Sequence, residues 1–385
     1  GFDIDDKGFY EVIVQFPNTA IVAGGAAGGD RGGGGGGGGG LHQRPFWTHS
    51  AKGRTPFEAA RNLSPTTTRL IVLSHVGLFL FSEKLARHGI GAVIDFIKRE
   101  PQARLSARAL VVDGDIKKLL DTEFPLETSP ATGLLRLIRL VRSERTITVN
   151  GSLVQKVVEL TRPGEEMTLS RIEVLETEDS KMGGPAQGAS TRSSLKPPAK
   201  VSGGAAFRGD KMVGWLDTHE TRGWNWMLGK GERGPILLQA PGGEGLVTID
   251  LLESKSMIEP VVDGTKIRMR VKVKVCGRIK DLTESKANAR RPDLRDPEVI
   301  RALRRRLSQV IRNDIETSIA KAQELGADIF GFGNAVYRKH PKVWNEFAAE
   351  RWDELFKTLP VDISVEAIIS RPGLVFSSLP PRERR

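Results

Sequence analysis

A single cysteine, Cys276, stands in a chain of 385 residues. One thiol closes no internal disulfide and cannot build a thiolate-dominated metal site. Its place at the end of an alternating strand marks it as an inert, buried thiol. Long apolar runs are missing too: no stretch approaches the roughly 20 residues a helix needs to cross a bilayer. The first residues, Gly1-Phe-Asp-Ile-Asp5, have neither a basic n-region nor an apolar h-region. Two readings of that start stay open, a cytosolic protein or one whose targeting segment is absent. The histidines, His42, His49, His75, His88, His219 and His340, fall at no metal-ligand spacing, and no serine sits in a Gly-x-Ser-x-Gly elbow.

What is present is an ordinary globular composition, 39% hydrophobic and 27% charged, in a chain long enough for two or three domains. The formal net charge is +11, which invites a nucleic-acid or anionic-membrane partner. The basic residues are spread through the chain, apart from Arg301, Arg304, Arg305, Arg306 and Arg312 on one helix and Arg382, Arg384 and Arg385 at the end. No RNP-type aromatic strand or zinc-finger spacing accompanies them. No nucleic acid is therefore expected as partner, and membrane proximity explains the charge at least as well.

The apolar periods give an irregular alternation of strands and helices. Tyr10 to Phe16 reads as a strand, and Gly24 to Gly40 as a glycine-rich loop with too few side chains to pack. Thr55-Pro56-Phe57-Glu58 opens a helix to about Leu63. Strands at Val76 to Phe81, Leu105 to Val112 and Leu169 to Leu175 alternate with helices over Glu83 to Arg99, Ile116 to Leu120 and Ala131 to Val141. Asn150 is expected to cap a helix carrying Leu153, Val154, Val157, Val158 and Leu160 on its apolar face. Residues 178–203, with Gly183-Gly-Pro and Pro197-Pro198, read as a flexible linker.

After it, a hairpin at Ala205 to Phe207 and Met212 to Leu216 is expected to open the second half. Asp217-Thr-His-Glu220 is a capping box for a short helix. Strands follow at Ile236 to Gln239, Leu246 to Leu252 and Ser256 to Val262. In the next one Ile267, Met269, Val271, Val273 and Val275 alternate with Lys266, Arg268, Arg270, Lys272 and Lys274, so one face meets a core and the other is basic. Asp296-Pro297 starts a long helix closed by Leu325-Gly326, Pro341 opens a further helix with Trp344, Phe347 and Trp352, and Val361 to Ile369 closes as a strand. The expected architecture is α+β, mixed sheets with covering helices in two major halves: 1–177, open to subdivision, and 204–379, followed by a basic tail at 380–385.

Catalytic templates fail. Gly183-Gly-Pro-Ala-Gln-Gly188-Ala-Ser190 has the glycine spacing of a phosphate loop but alanine where lysine must stand, and no strand precedes it. Gly331-Phe-Gly333 lacks the third glycine of a dinucleotide turn and follows a helix. No enzyme, cofactor or metal is expected. Large aromatics gather in the second half, at Trp215, Trp224, Trp226, Phe330, Phe332, Trp344 and Trp352. They line a ligand groove on one reading and a core on the other.

One ordered set of short stretches stands out. It runs from Gly1-Phe-Asp-Ile-Asp5 through Arg54-Thr-Pro-Phe-Glu-Ala59, Phe81-Ser-Glu-Lys-Leu-Ala86 and Arg99-Glu-Pro101 to Val213-Gly-Trp-Leu216 and Glu220-Thr-Arg-Gly223. Asp296-Pro-Glu-Val299, Asp328-Ile-Phe-Gly-Phe-Gly333, Arg338-Lys-His-Pro-Lys342 and Trp344 complete it. In this order the stretches resemble the Ger(x)C family, the lipoprotein C subunits of spore nutrient germinant receptors. The resemblance implies a mixed α+β protein without catalytic activity, lipid-anchored on the outer face of the spore inner membrane. It also implies integral-membrane A and B subunits as partners. Family members begin with a signal peptide and a lipobox cysteine, so the chain is read as a trimmed ectodomain whose anchor lies outside it. The glycine run departs from the family pattern. The competing class is an extracytoplasmic solute-binding or basic nucleic-acid-binding module. The expected interaction surface comprises Arg268, Arg270, Lys272, Trp215, Arg222, Phe330 and Phe332, with the helix arginines as a second candidate.

Overall fold

The computed structural model describes residues 1–18, 45–67, 73–122, 124, 126–149, 151–175, 198–231, 233–241, 245–283, 293–294 and 296–370. The glycine run, most of the expected linker, His42, Asn150 and the basic tail lie outside these residues.

The first sheet has eight strands in the order β3-β2-β1-β4-β5-β6-β7-β8. It begins as an antiparallel meander of β1 (Phe2–Ile4), β2 (Tyr10–Pro17) and β3 (Phe46–Gly53). Its centre is parallel: β4 (Leu78–Ser82), β5 (Arg108–Asp113) and β6 (Thr168–Val174). Parallel strands covered on both faces read as continuous apolar runs, and Leu-Phe-Leu-Phe in β4 and Ala-Leu-Val-Val in β5 do so. On one face pack α1 (Pro56–Arg61), α2 (Glu83–His88) and α3 (Gly91–Arg99), around Phe79, Phe81 and Val111. On the other pack α4 (Ile116–Asp121) and α5 (Pro130–Glu144), around Leu80, Leu110 and Val112.

Next comes α6 (Leu153–Thr161), whose N-cap is Ser152 in a capping box with Gln155 rather than Asn150. Its buried face also differs from the expected one. Val154 and Val158 are 42% and 40% exposed, while Lys156 is 1% exposed. The lysine points inward because Glu159, one turn away, takes its ammonium on both carboxylate oxygens at 2.8 and 2.9 Å. Burial pushes the Lys156 ammonium below the ordinary lysine range, and Glu159 pulls it back.

Two expectations about the junction are corrected. The linker does not reach residue 203, because β7 spans Ala199–Arg208 and pairs antiparallel with β6, Val174 facing Ala199 and Ile172 facing Val201. Nor does the hairpin open a separate second half: β7 and β8 (Lys211–Leu216) complete the first sheet. Ser202 and Gly203, at the end of the expected linker, suggest a loop, yet smallness is what this strand needs. A Cβ on Gly204 would come within 2.6 Å of Val149 Cγ2.

From the end of that hairpin α7 (Thr218–Met227) starts on the expected Asp217–Glu220 capping box. The second sheet runs β12-β11-β10-β9. It comprises β9 (Gly234–Gln239), β10 (Leu246–Asp263), β11 (Lys266–Thr283) and β12 (Val361–Ser370), the last parallel to β11. The two strands expected over Leu246 to Val262 are the single β10. Its polar middle, Glu253-Ser-Lys-Ser256, has no apolar period, but β11 supplies a ladder partner for each residue, and the register shift between Leu251 and Glu253 absorbs one extra residue.

Helix α8 (Pro297–Leu325) lies across the inner face, burying Leu303, Leu307, Ile311 and Ile315 against Met269, Val271 and Val273. It ends at Gly326 in the left-handed region (φ 61°), as Leu325-Gly326 suggests. Beyond it come α9 (Phe332–Lys339) and, instead of one helix from Pro341, a short turn, a π-turn over Trp344–Ala348, a 3-10 turn and α10 (Trp352–Lys357). In a regular α-helix Trp344 and Trp352 would sit about 12 Å apart along the axis. The irregular turns bring their ring centroids to 5.4 Å, both rings buried.

Candidate functional site

The outer face of β11 carries Lys266, Arg268, Arg270, Lys272 and Lys274, all exposed, above the buried Ile267, Met269, Val271, Val273 and Val275. Its flanking strands make it less basic than the strand alone. Arg270 lies between Glu259 of β10 and Asp362 of β12, and Lys274 lies beside Glu366. Ion pairs join Arg268 to Asp362 at 3.8 Å and Lys274 to Glu366 at 3.2 Å, and Lys339 reaches Glu259 at 3.5 Å. Lys272 sits between the exposed Met257 and Ser364, with no acid directly across on either strand. The face is a charge-paired sheet surface with Lys272 as its least compensated cation.

Several arginines of α8, the second candidate surface, turn to the sheet margins. Arg312 Nη2 donates to Ile363 O at 2.7 Å and Arg304 Nη2 to Ile369 O at 3.4 Å, both carbonyls on β12. Arg306 Nη1 donates to Gln239 O on β9 at the opposite margin. These guanidiniums occupy backbone acceptors that an edge strand otherwise offers to another chain.

Arg222, Phe330 and Phe332 do not belong to an open surface. Arg222 forms a two-pronged pair with Asp314 of α8, Nε to Oδ2 at 2.6 Å and Nη2 to Oδ1 at 2.8 Å. Trp226 Nε1 adds a bond to Asp314 Oδ2 at 3.3 Å, and the carboxylate is 5% exposed. The neighbouring Gly223 lets the two helices touch: a Cβ there would stand 2.0 Å from Asp314 O. Glu220-Thr-Arg-Gly223 is thus a helix-to-helix clamp.

The stretch after α8 is organised by the carboxylate of Asp328, which is buried. Its Oδ1 accepts from the backbone N–H of Phe330 at 3.3 Å and of Phe332 at 3.1 Å. Its Oδ2 accepts from Gly333 N at 2.8 Å and Trp352 Nε1 at 3.0 Å. Burial pushes this carboxyl up to about 7 against the pull of those donors. Phe330 and Phe332 turn inward, ring centroids 5.2 Å apart, at 4% and 0% exposure. They turn in because Gly331 adopts φ 70° and Gly333 packs on Gly164 of the first half, where a Cβ would meet Gly164 Cα at 2.7 Å. Asn334 closes the seam, donating N–H to Gly164 O at 3.1 Å and Nδ2 to Glu165 Oε2 at 3.0 Å. Of the aromatic set only Trp215 stays half-exposed, its Nε1 on Glu83 at 3.2 Å and the Arg171 guanidinium 4.9 Å above its ring.

Apart from Trp215, the residues named from sequence therefore fall into two groups. Arg268, Arg270 and Lys272 share an exposed face, whereas Arg222, Phe330 and Phe332 are fold residues at the seam. The sequence reading passed over Lys156, the one signal being a lysine at an inward position three residues after Leu153.

With both sheets and their seam in place, comparison with known proteins gives the class. Residues 1–174 match the family described as spore germination protein N-terminal domain, and residues 202–373 the family described as spore germination B3/GerAC like, C-terminal. The chain belongs to the Ger(x)C family. Among curated relatives it is 25% identical to the putative spore germination protein YfkR of Bacillus subtilis (strain 168), over 87% of this chain and 81% of that protein. It is 24% identical to spore germination protein KC of the same organism, over 86% of this chain and 80% of that one, and 22% identical to spore germination protein B3, over 83% and 79%. The crystal structure of the GerBC protein superposes with a TM-score of 0.56 over 96% of each chain at 17% identity, a likeness of fold.

Proposed function

We propose that this chain is a non-catalytic subunit of a spore germinant receptor, acting with integral-membrane A and B subunits in nutrient-triggered germination. In this reading a lipid anchor holds it to the outer face of the spore inner membrane. The observation that carries the reading is the match of both halves, in order, to spore germination families. The names of its relatives, YfkR, KC and B3 among them, support it. The outer face of β11 supplies a contact surface, since each Lys or Arg near an anionic surface contributes roughly 1 kcal/mol. Because Asp362, Glu366 and Glu259 already offset part of that charge, Arg268, Arg270 and Lys272 suit acidic loops of the membrane subunits better than a bare lipid surface.

The test is a strain lacking the gene, together with a tagged copy expressed from its own promoter. Loss of germination with at least one nutrient mixture is expected, with the tagged protein in the spore membrane fraction and a multi-spanning protein co-purifying. Spores that germinate normally with every nutrient, or a tagged protein confined to the soluble fraction, would overturn the proposal.

A further inference from the structure

At the seam between the halves lies a cleft of about 450 Å³, walled by the end of α5, one side of α6 and the end of α7. Arg142, Arg145, Arg162 and Lys230 bring positive charge to it. Arg162 pairs with Glu165 at 3.2 Å, whereas no ion pair joins Arg142, Arg145 or Lys230 to a carboxylate among the described residues. The one acid in the lining among the described residues, Glu159, is already held by the buried Lys156. Near the cleft, burial, then Arg142 and Arg139, push the half-buried Arg108 below the ordinary arginine range. A cleft lined by one sign of charge concentrates its field and attracts counter-ions.

Two further features are those of a binding site rather than a charged groove. Thr148, 5% exposed, lines the cleft as part of a buried wall. Asn225 fixes that wall, its Nδ2 donating to Thr148 O at 3.1 Å and Thr221 O at 3.0 Å. The other feature is apolar: Val154 and Val158, the side chains α6 leaves exposed, form one wall. Lys230 closes the opposite side with its ammonium 4.8 Å from the centre of the buried Trp224 ring.

We propose that this cleft binds a small organic polyanion of the di- or tricarboxylate class, its carboxylates on Arg142, Arg145 and Lys230 and its carbon skeleton against Val154 and Val158. Planar guanidiniums match carboxylates with paired hydrogen bonds, and the uncompensated charge calls for more than one anionic group. The proposal rests on the cleft alone and not on the receptor reading.

Isothermal titration of the purified chain with citrate at physiological ionic strength tests it. One citrate per chain is expected, bound with a dissociation constant of about 1 mM or tighter. The Arg145→Gln/Lys230→Gln variant, altered only at exposed positions, is expected to bind about tenfold more weakly with an unchanged melting temperature. Arg268→Gln/Arg270→Gln on the distant sheet face is expected to leave it unchanged. Inorganic phosphate is expected to bind at least about tenfold more weakly than citrate, having no skeleton for the valine wall. No binding at millimolar citrate, equal binding by the Arg145/Lys230 variant, equal loss from the Arg268/Arg270 variant, or phosphate binding as tightly as citrate would overturn the proposal.

Discussion

The seam around Asp314 and Asp328 and the outer face of β11 are both rich in charged residues, yet their ionic groups do different things. At the seam each buried carboxylate serves several donors: Arg222 and Trp226 on Asp314, and three backbone amides with Trp352 on Asp328. On β11 each cation is solvated, and its pairs, such as Arg268 with Asp362 at 3.8 Å, are loose and half-exposed. The difference is one of dielectric. A buried charge must be fully satisfied and so fixes geometry, whereas an exposed pair is worth 0 to about 1 kcal/mol and leaves its members free to meet a partner.

The sharpest way to break the seam is Gly223→Ala. Its new Cβ would lie 2.0 Å from Asp314 O, and parting α7 from α8 is expected to cost about 3 kcal/mol in denaturant unfolding. A loss below about 1 kcal/mol would mean that the clamp relaxes freely.

Asp328→Asn comes next, at about 2 kcal/mol, because an amide nitrogen then faces N–H donors. Its pH dependence has a definite sign. The folded carboxyl sits at about 7, above its unfolded value, so the unfolded chain releases the proton first as pH rises. The stability tied to this proton is complete below about pH 4 and is lost as pH climbs towards 7. The melting-temperature gap between wild type and Asp328→Asn should therefore narrow from pH 5 to about pH 7, and a widening gap would contradict this account.

Removing an edge cap tests the boundary between the two regions. Arg312→Ala frees Ile363 O on β12 and is expected to cost about 1 kcal/mol while raising self-association at high concentration. Light scattering that shows no more association than wild type would count against the edge-protection role. The smallest effect belongs to the open face: Arg268→Gln/Arg270→Gln/Lys272→Gln should change stability by no more than about 0.5 kcal/mol while reducing recovery of the receptor complex. A large stability loss would erase the contrast between the regions.

Sequence reading did best where a local signal and its tertiary use coincide. The Asp217–Glu220 capping box, the left-handed Gly326 and the alternation in β11 need no distant partner to be recognised. It did less well with α6, where a lysine faces inward because Glu159 neutralises it, and Val154 and Val158 face a cleft. It also placed Arg222, Phe330 and Phe332 in a candidate interaction surface while leaving the two phenylalanines open between groove and core, since the ordered motif does not say which side of the chain the solvent lies on.

By itself, then, the sequence determined the α+β class, the basic face of β11 and the ordered set of stretches that places the chain in its family, all carried by short periods and caps. Tertiary structure alone decided that Ala199 to Leu216 completes the first sheet, that Asp314 and Asp328 lock the seam, and that Arg142, Arg145, Thr148 and Lys230 meet around one cleft. Ladder partners, close glycine contacts and charge convergence join residues far apart along the chain, and no local pattern encodes which of them will meet.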